Sequence, residues 1–169
     1  MRTLVRALPS KAPLRARSAF WSKVVKSTDA DGCWIFTGAV SSPDGYGRVN
    51  FTVNGSQFTI SAHRFALWLS GVDISDSEIV GDHRCHEPLC VRVGPEHLIA
   101  SSQSANAAYG RQSGRARGTR PGLATSDRTR AQRSIDVRAA VKDGWDEQAY
   151  RTAARAPHNP VHEPTLFDV

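Results

Sequence analysis

Changes in the period of the apolar residues divide the chain into segments with different structural preferences. Residues 1–17 have no apolar period; Pro9, Pro13 and interspersed arginines predict a flexible basic arm. Phe20, Trp21, Val24 and Val25 fit one face of a short helix starting near Ser18, and the polar cluster at 29–32 predicts a turn. Strand-like runs follow at 33–37 and 46–53, and a third, at 57–61, continues beyond Asn54-Gly55. That dipeptide tolerates positive φ at both positions, which makes it the strongest short signal for a hairpin. From Ala62 the period changes, and Phe65, Leu67, Trp68 and Leu69 predict a buried helix stopped by Gly71.

Ile79-Val80 and residues 98–100 predict short strands on either side of a long polar loop, with a helix at 101–110. This stretch therefore has the order strand, loop, strand, helix. Residues 111–134 hold four Gly or Pro and seven Arg with almost no apolar content, the composition of a linker. Residues 135–141 and 145–154 predict two short helices broken at Asp143-Gly144, as a helical hairpin, a partly ordered tail or a helix-turn-helix. The expected organisation is an arm at 1–17, one domain at 18–111, a linker at 112–132, a helical pair at 133–156 and a tail at 157–169.

The net charge of +6 is unevenly placed. Residues 1–28 carry seven Lys or Arg and no acid; residues 29–100 sum to −5, residues 101–134 to +6 and residues 135–169 to −2. Two basic arms flank an acidic centre. Basic arms gain affinity for nucleic acid by releasing condensed counterions, and an acidic centre suits a site that holds metal ions. Each arm alone is equally well read as a solvated tail. No apolar run approaches the roughly 18 residues that a membrane span needs, and no secretory h-region is visible, so a cytoplasmic setting is expected. The acid-free N-terminus leaves a transit peptide as an alternative.

Chemistry-bearing residues concentrate in Asp82-His83-Arg84-Cys85-His86-Glu87-Pro88-Leu89-Cys90 and in Pro95-Glu96-His97-Leu98. Cys33, Cys85 and Cys90 are the three cysteines of the chain, an odd number that argues against a disulfide framework. Cys85, Cys90 and His97, completed by Cys33, make a Cys₃His set for a closed structural Zn²⁺ site; His86 is a competing ligand. The alternative is ordinary buried cysteines around a core histidine. His83 is a candidate general base, since imidazole titrates near neutrality. Asn106 offers a neutral oxygen that suits Mg²⁺, and Asp82 adds a carboxylate that either binds the same ion or orients His83. Taken singly, each of these residues also fits an unremarkable surface or core role.

In combination, Asp82-His83-x-Cys85-x₄-Cys90, then Pro95-x-His97-Leu98, with Asn106 nine positions after His97, resembles the HNH endonucleases. In particular it is similar to their zinc-containing branch related to the His-Cys box homing endonucleases. Gly32-Cys33-Trp34, Gly45-Tyr46-Gly47-Arg48 and Ala62-His63-Arg64 extend the likeness in the same order, over about residues 18–111. The resemblance implies an α+β fold of the ββα-metal (His-Me finger) kind, preceded by a helix and a β-hairpin. It implies cleavage of double-stranded DNA to 5′-phosphate and 3′-hydroxyl ends. His83 then stands as general base, Asn106 and Asp82 as ligands of the catalytic Mg²⁺ or another divalent ion, and Cys33, Cys85, Cys90 and His97 as zinc ligands. Arg48 and Arg64 match phosphate contacts, although His63-Arg64 reads equally well as a pair packing under the hairpin.

One departure from the family is the six-residue spacing between Cys90 and His97 where four is usual; another is the lack of the central asparagine that braces this loop. A zinc-stabilised DNA-binding protein without enzymatic activity, reading DNA through residues 133–156, is the main rival. A structural protein with no nucleic-acid role is a third option. A homodimer would make double-strand cuts natural. The C-terminal Leu166-Phe167 faintly resembles peptides that dock on bacterial sliding clamps, but equally a frayed end or a packed strand.

Overall fold

The computed structural model describes residues 8–112 and 130–155, with only the backbone at Arg155. Residues 1–7 of the basic arm, residues 113–129 of the expected linker and the tail at 157–169, with its clamp-like peptide, lie outside the described residues.

Helix α1 (Leu14–Trp21) starts inside the segment expected to be arm, directly after Pro13 at φ −59°. Proline fits this boundary because it has no N–H to leave unsatisfied and its φ is already helical. Phe20 drives the helix into the core, with its ring 5.5 Å from Phe36 and 4.9 Å from Phe65. Val24 and Val25 do not extend the helix, as their spacing suggests. They form β1 (Val24–Lys26), antiparallel to β2 (Trp34–Phe36). Adjacent β-branched residues favour a pleated surface over a helical turn, and here that preference wins.

A second, three-stranded antiparallel sheet holds β3 (Ala39–Val40), β4 (Gly47–Val53) and β5 (Ser56–Ser61). Asn54 at φ 48° and Gly55 at φ 74° make the tight turn between β4 and β5 that their chemistry predicts. Along β4, Val49 and Phe51 are buried while Asn50 and Thr52 are exposed, the period of a half-covered strand. Helix α2 (Ala62–Leu69) buries Phe65, Ala66 and Leu67, and Gly71 at φ 94° follows its end.

A third sheet pairs β6 (Ile79–His83) with β7 (Leu98–Ser102), in register from Ile79 opposite Ser102 to His83 opposite Leu98. Helix α3 (Gln103–Gln112) follows without a loop and packs on both strands. Helices α4 (Arg130–Val141) and α5 (Glu147–Arg155) pack on each other, and α4 also rests on β2 and β3. The fold is thus mixed α and β, with small antiparallel sheets and five helices among the described residues. None of these helices is long and apolar enough to cross a membrane.

Two apolar clusters hold the elements together. The larger gathers Phe20, Phe36, Phe51 and Phe65 with Leu67, Val91 and Leu98. The smaller contains Cys33, Ile35, Leu89 and Cys90 from the sheet side and Val137 and Val141 from α4. Val137 and Val141 are one turn apart on a single helical face, which explains why the C-terminal pair docks here instead of standing apart as an independent unit.

Candidate metal centre and adjoining cavity

Four side chains distant in sequence meet where β2 crosses the β6–β7 loop. Cys33 immediately precedes β2, Cys85 and Cys90 lie in the loop, and His97 immediately precedes β7. Two backbone bonds fix the crossing: Phe36 N donates to Leu89 O at 2.9 Å, and Val91 N to Trp34 O at 2.8 Å. The one ligand atom that each of Cys33, Cys85, Cys90 and His97 offers lies within 4.8 Å of the others. His97 Nδ1 is 3.7 Å from both Cys33 Sγ and Cys90 Sγ. A tetrahedral zinc ion with Zn–S of about 2.3 Å and Zn–N of about 2.0 Å has S···N edges of roughly 3.5 Å. The set is therefore compatible with a structural zinc site.

The surroundings of His97 agree. Its Nε2 lies 3.0 Å from the Asp31 carbonyl oxygen, which can only accept, so the ring proton sits on Nε2 and the lone pair on Nδ1 faces the sulfurs. The polar turn at 29–32 is held in place by Arg92, which donates to Ala30 O at 2.7 Å and Gly32 O at 2.9 Å. The long spacing between Cys90 and His97 is absorbed by a closed turn, in which Leu98 N donates to Arg92 O and His97 N to Gly94 O, both at 3.0 Å. Thiol electrostatics point the same way. Hydrogen bonds from Cys33 and Cys90 hold Cys85 far below the ordinary thiol range. Hydrogen bonding to Cys85, reinforced by burial, pushes Cys33 up to about 12, and hydrogen bonding to Cys33 and Cys85 pushes Cys90 up as well. Such mutual influence among three close thiols is compatible with a site for a divalent cation, which would favour the thiolate form of each.

Beside this centre is a cavity of about 290 Å³ lined by Asp44, Tyr46, Gly81, His83, His86, Pro88, Asn106, Arg130 and Arg133. His83, at the end of β6, and Asn106, on α3, thus share one enclosure. His83 is only 6% exposed, and its Nε2 lies 3.0 Å from the carbonyl oxygen of Cys90. A carbonyl has no proton to give, so Nε2 is the donor in this bond. The ring stacks on Tyr46 at 5.9 Å and meets His63 edge-on at 5.2 Å. No side chain in the sequence stands out as a brace for this loop. The brace is a backbone carbonyl, and it belongs to one of the four clustered residues.

Asp82 does not line the cavity. Alternation along β6 turns Gly81 and His83 towards it and Asp82 away. Asp82 is 1% exposed, and neither carboxylate oxygen accepts a hydrogen bond from the described residues; Arg84 Nη2 lies 3.2 Å from Oδ2. Arg48 pairs with Asp44 of the cavity wall at 2.8 Å. Arg64 turns inward, donating to the carbonyl of Ile79 and, at 2.6 Å, to that of Ile74. His86, the competing zinc ligand, is in the left-handed region at φ 62° and lines the cavity instead of joining the four.

Two further buried residues support the site. Glu87 is buried and pairs with Arg133 of α4 at 2.9 Å, which ties the loop to the C-terminal helices. Burial raises the Glu87 carboxyl, while Arg133 opposes that shift. His63, also buried, lies behind His83, with Nε2 3.2 Å from Ser61 Oγ. Burial, with repulsion from His83 and Arg64, lowers the His63 pKa to about 3.

Two consequences are measurable. Between pH 6.5 and about 3 the unfolded chain binds a proton at His63 that the folded chain refuses. Stability from this group is therefore complete above pH 6.5 and falls with acidification, by at most about 1.4 kcal/mol per pH unit. Urea unfolding of the wild type and of His63→Gln at pH 7 and pH 5 should give a shallower pH dependence for the variant. Gly81 makes room for the same ring, since a Cβ there would lie 2.6 Å from His63 Cδ2 and 3.2 Å from Leu98 Cδ1. Gly81→Ala is expected to cost about 1–3 kcal/mol in the same assay, the range for overpacking a filled interior.

Comparison of the chain with models of known protein families, with curated proteins and with solved structures finds no match.

Proposed function

We propose that this chain is a metal-dependent DNA endonuclease of the HNH kind, in which β6, β7 and α3 form the ββα-metal unit and Cys33, Cys85, Cys90 and His97 hold a structural zinc ion. The observation that carries the reading is the convergence of His83 and Asn106 on one cavity, with His83 oriented by the Cys90 carbonyl. In this reading Nδ1 of His83 takes a proton from a water molecule, the resulting hydroxide attacks phosphorus, and the bond to the 3′-oxygen breaks. Asn106 is the residue that would hold a hard divalent ion, which would neutralise charge on the phosphate and the leaving oxygen; Asp82, expected to share that ion, is turned away from the cavity and does not join it. The amide oxygen of Asn106 is a hard, neutral donor of the kind such an ion takes. Charge favours the same substrate, because Arg130 and Arg133 add permanent positive charge to the cavity wall. Double-stranded DNA is the proposed partner, gripped with the help of the basic segments.

The pairing of Asp82 with Arg84, away from the cavity, favours a second reading, a zinc-stabilised DNA-binding protein in which Asp82 is not available to share a divalent ion with Asn106. Incubation of the protein with supercoiled plasmid and Mg²⁺, with product ends mapped, separates the two. Nicking or linearisation to 5′-phosphate and 3′-hydroxyl ends supports the nuclease. Binding without cleavage under Mg²⁺, Mn²⁺ and Ca²⁺ supports the rival.

A further inference from the structure

The cavity wall has an unexpected contributor. Arg130 opens helix α4, in the C-terminal helical pair, yet it lines the same enclosure as His83 and Asn106. Its position is set by close packing: a Cβ on Gly45 would lie 2.7 Å from the Arg130 carbonyl oxygen and 2.9 Å from Ser134 Oγ, so the first turn of α4 sits directly on the turn that carries Asp44 and Tyr46. The far side of that turn is anchored by Arg133, which reaches Glu87 at 2.9 Å and the Ala154 carbonyl at 3.2 Å.

Pairing of the charged wall residues singles out Arg130. The Asp44 carboxylate is matched by Arg48 at 2.8 Å, and the Arg133 guanidinium by Glu87. The side chain of Arg130 makes no ion pair or hydrogen bond among the described residues. Among the described residues that line the cavity, Arg130 is thus the cation not committed to a protein carboxylate. A planar guanidinium matches the oxygens of a phosphate diester in a bidentate way.

We propose that Arg130 binds a backbone phosphate of the DNA substrate, so that the C-terminal helical pair is part of the nuclease site and not a separate reading module. This rests on the endonuclease reading above. Arg130 touches the substrate, and Glu87 and Arg133 act as positioning residues that hold α4 against the cavity.

The test uses the full chain. Plasmid cleavage and the salt dependence of DNA binding are measured for the wild type, Arg130→Ala, Arg130→Lys and Arg151→Ala. Arg151 supplies a matched loss of charge on α5, where it pairs with Glu147 at 2.5 Å and lines no part of the cavity. Arg130→Ala should lower kcat/KM roughly 10- to 100-fold, the loss expected for a charge-assisted contact, with Arg130→Lys intermediate and Arg151→Ala like the wild type. The slope of log affinity against log salt should shrink by about 1 for Arg130→Ala alone. Equal behaviour of Arg130→Ala and Arg151→Ala in both measurements overturns the assignment. Should the wild type bind and never cut, the endonuclease reading falls, while the difference in salt slope still decides whether Arg130 meets phosphate. Thermal unfolding of each variant identifies any loss that comes from misfolding, and Arg130→Lys then carries the comparison.

Discussion

His83→Ala is expected to remove cleavage of supercoiled plasmid by a factor of about 10²–10⁴, the usual contribution of a positioned general base. DNA affinity and zinc content should stay at wild-type values. The expectation follows from how the imidazole is held. Its Nε2 proton is committed to the Cys90 carbonyl, and Tyr46 and His63 flank the ring, so the imidazole is held in one orientation. Alanine deletes the acceptor and leaves the β6–β7 ladder intact, because that ladder is made of backbone groups. The side chain is buried, so a modest loss of stability from the space it vacates accompanies the change and is measured separately by urea unfolding. Asn106→Ala should lose cleavage to a comparable degree, since both residues line the same enclosure. A His83→Ala protein that still nicks at the wild-type rate would sink the proposed mechanism, whatever else binds DNA. So would a dependence on Asn106 but not on His83, because the water would then be activated elsewhere.

Much of this arrangement is legible in the order of the residues, and the parts that are not have identifiable physical reasons. The β4–β5 hairpin is plain in the sequence because Asn54-Gly55 and the alternation along β4 point to one register. Cys33, Cys85, Cys90 and His97 can be grouped because few roles are open to three cysteines in a chain without a disulfide pattern. Val24-Val25 mislead, since a helical face and a short strand place the same two residues equally well and only pairing with β2 decides. The brace on His83 leaves no trace because its acceptor is main chain, which any residue type supplies. By composition Arg130 and Arg133 are simply part of a basic segment; that they reach the cavity depends on α4 docking through Val137 and Val141, a tertiary event. Glu87 sits within the dense polar run, but its partner lies 46 positions away. The C-terminal pair reads as a unit after a linker, and its apolar stripe is the available hint that it belongs on the metal loop.

Removing zinc should unfold the domain, and with it the proposed active site. Structural zinc in small domains contributes about 10–16 kcal/mol at neutral pH, comparable with or larger than the roughly 5–15 kcal/mol that stabilises a typical domain. Here the four ligands join the start of β2, the β6–β7 loop and the start of β7, and Cys33 and Cys90 are themselves part of the apolar cluster on which α4 rests. Excess 1,10-phenanthroline is therefore expected to abolish the cooperative thermal transition, and Cys33→Ser and Cys90→Ser to give protein that is largely unfolded at room temperature. The purified wild type should carry one zinc per chain, and Co²⁺ exchanged into the site should show the visible absorption of a tetrahedral three-sulfur, one-nitrogen centre. Zinc binding is also expected to release protons, because thiols ligate as thiolates and hydrogen bonding with burial holds Cys33 and Cys90 above the ordinary thiol range. Affinity should accordingly weaken as pH falls. Milder damage tells more: a ligand variant that keeps its fold but holds metal loosely should lose cleavage before it loses DNA affinity, since Cys90 both contributes a sulfur and orients His83 through its carbonyl. If the protein as purified contains no zinc and the chelator leaves its melting unchanged, the four side chains are ordinary core neighbours, and the support beneath His83 comes from packing alone.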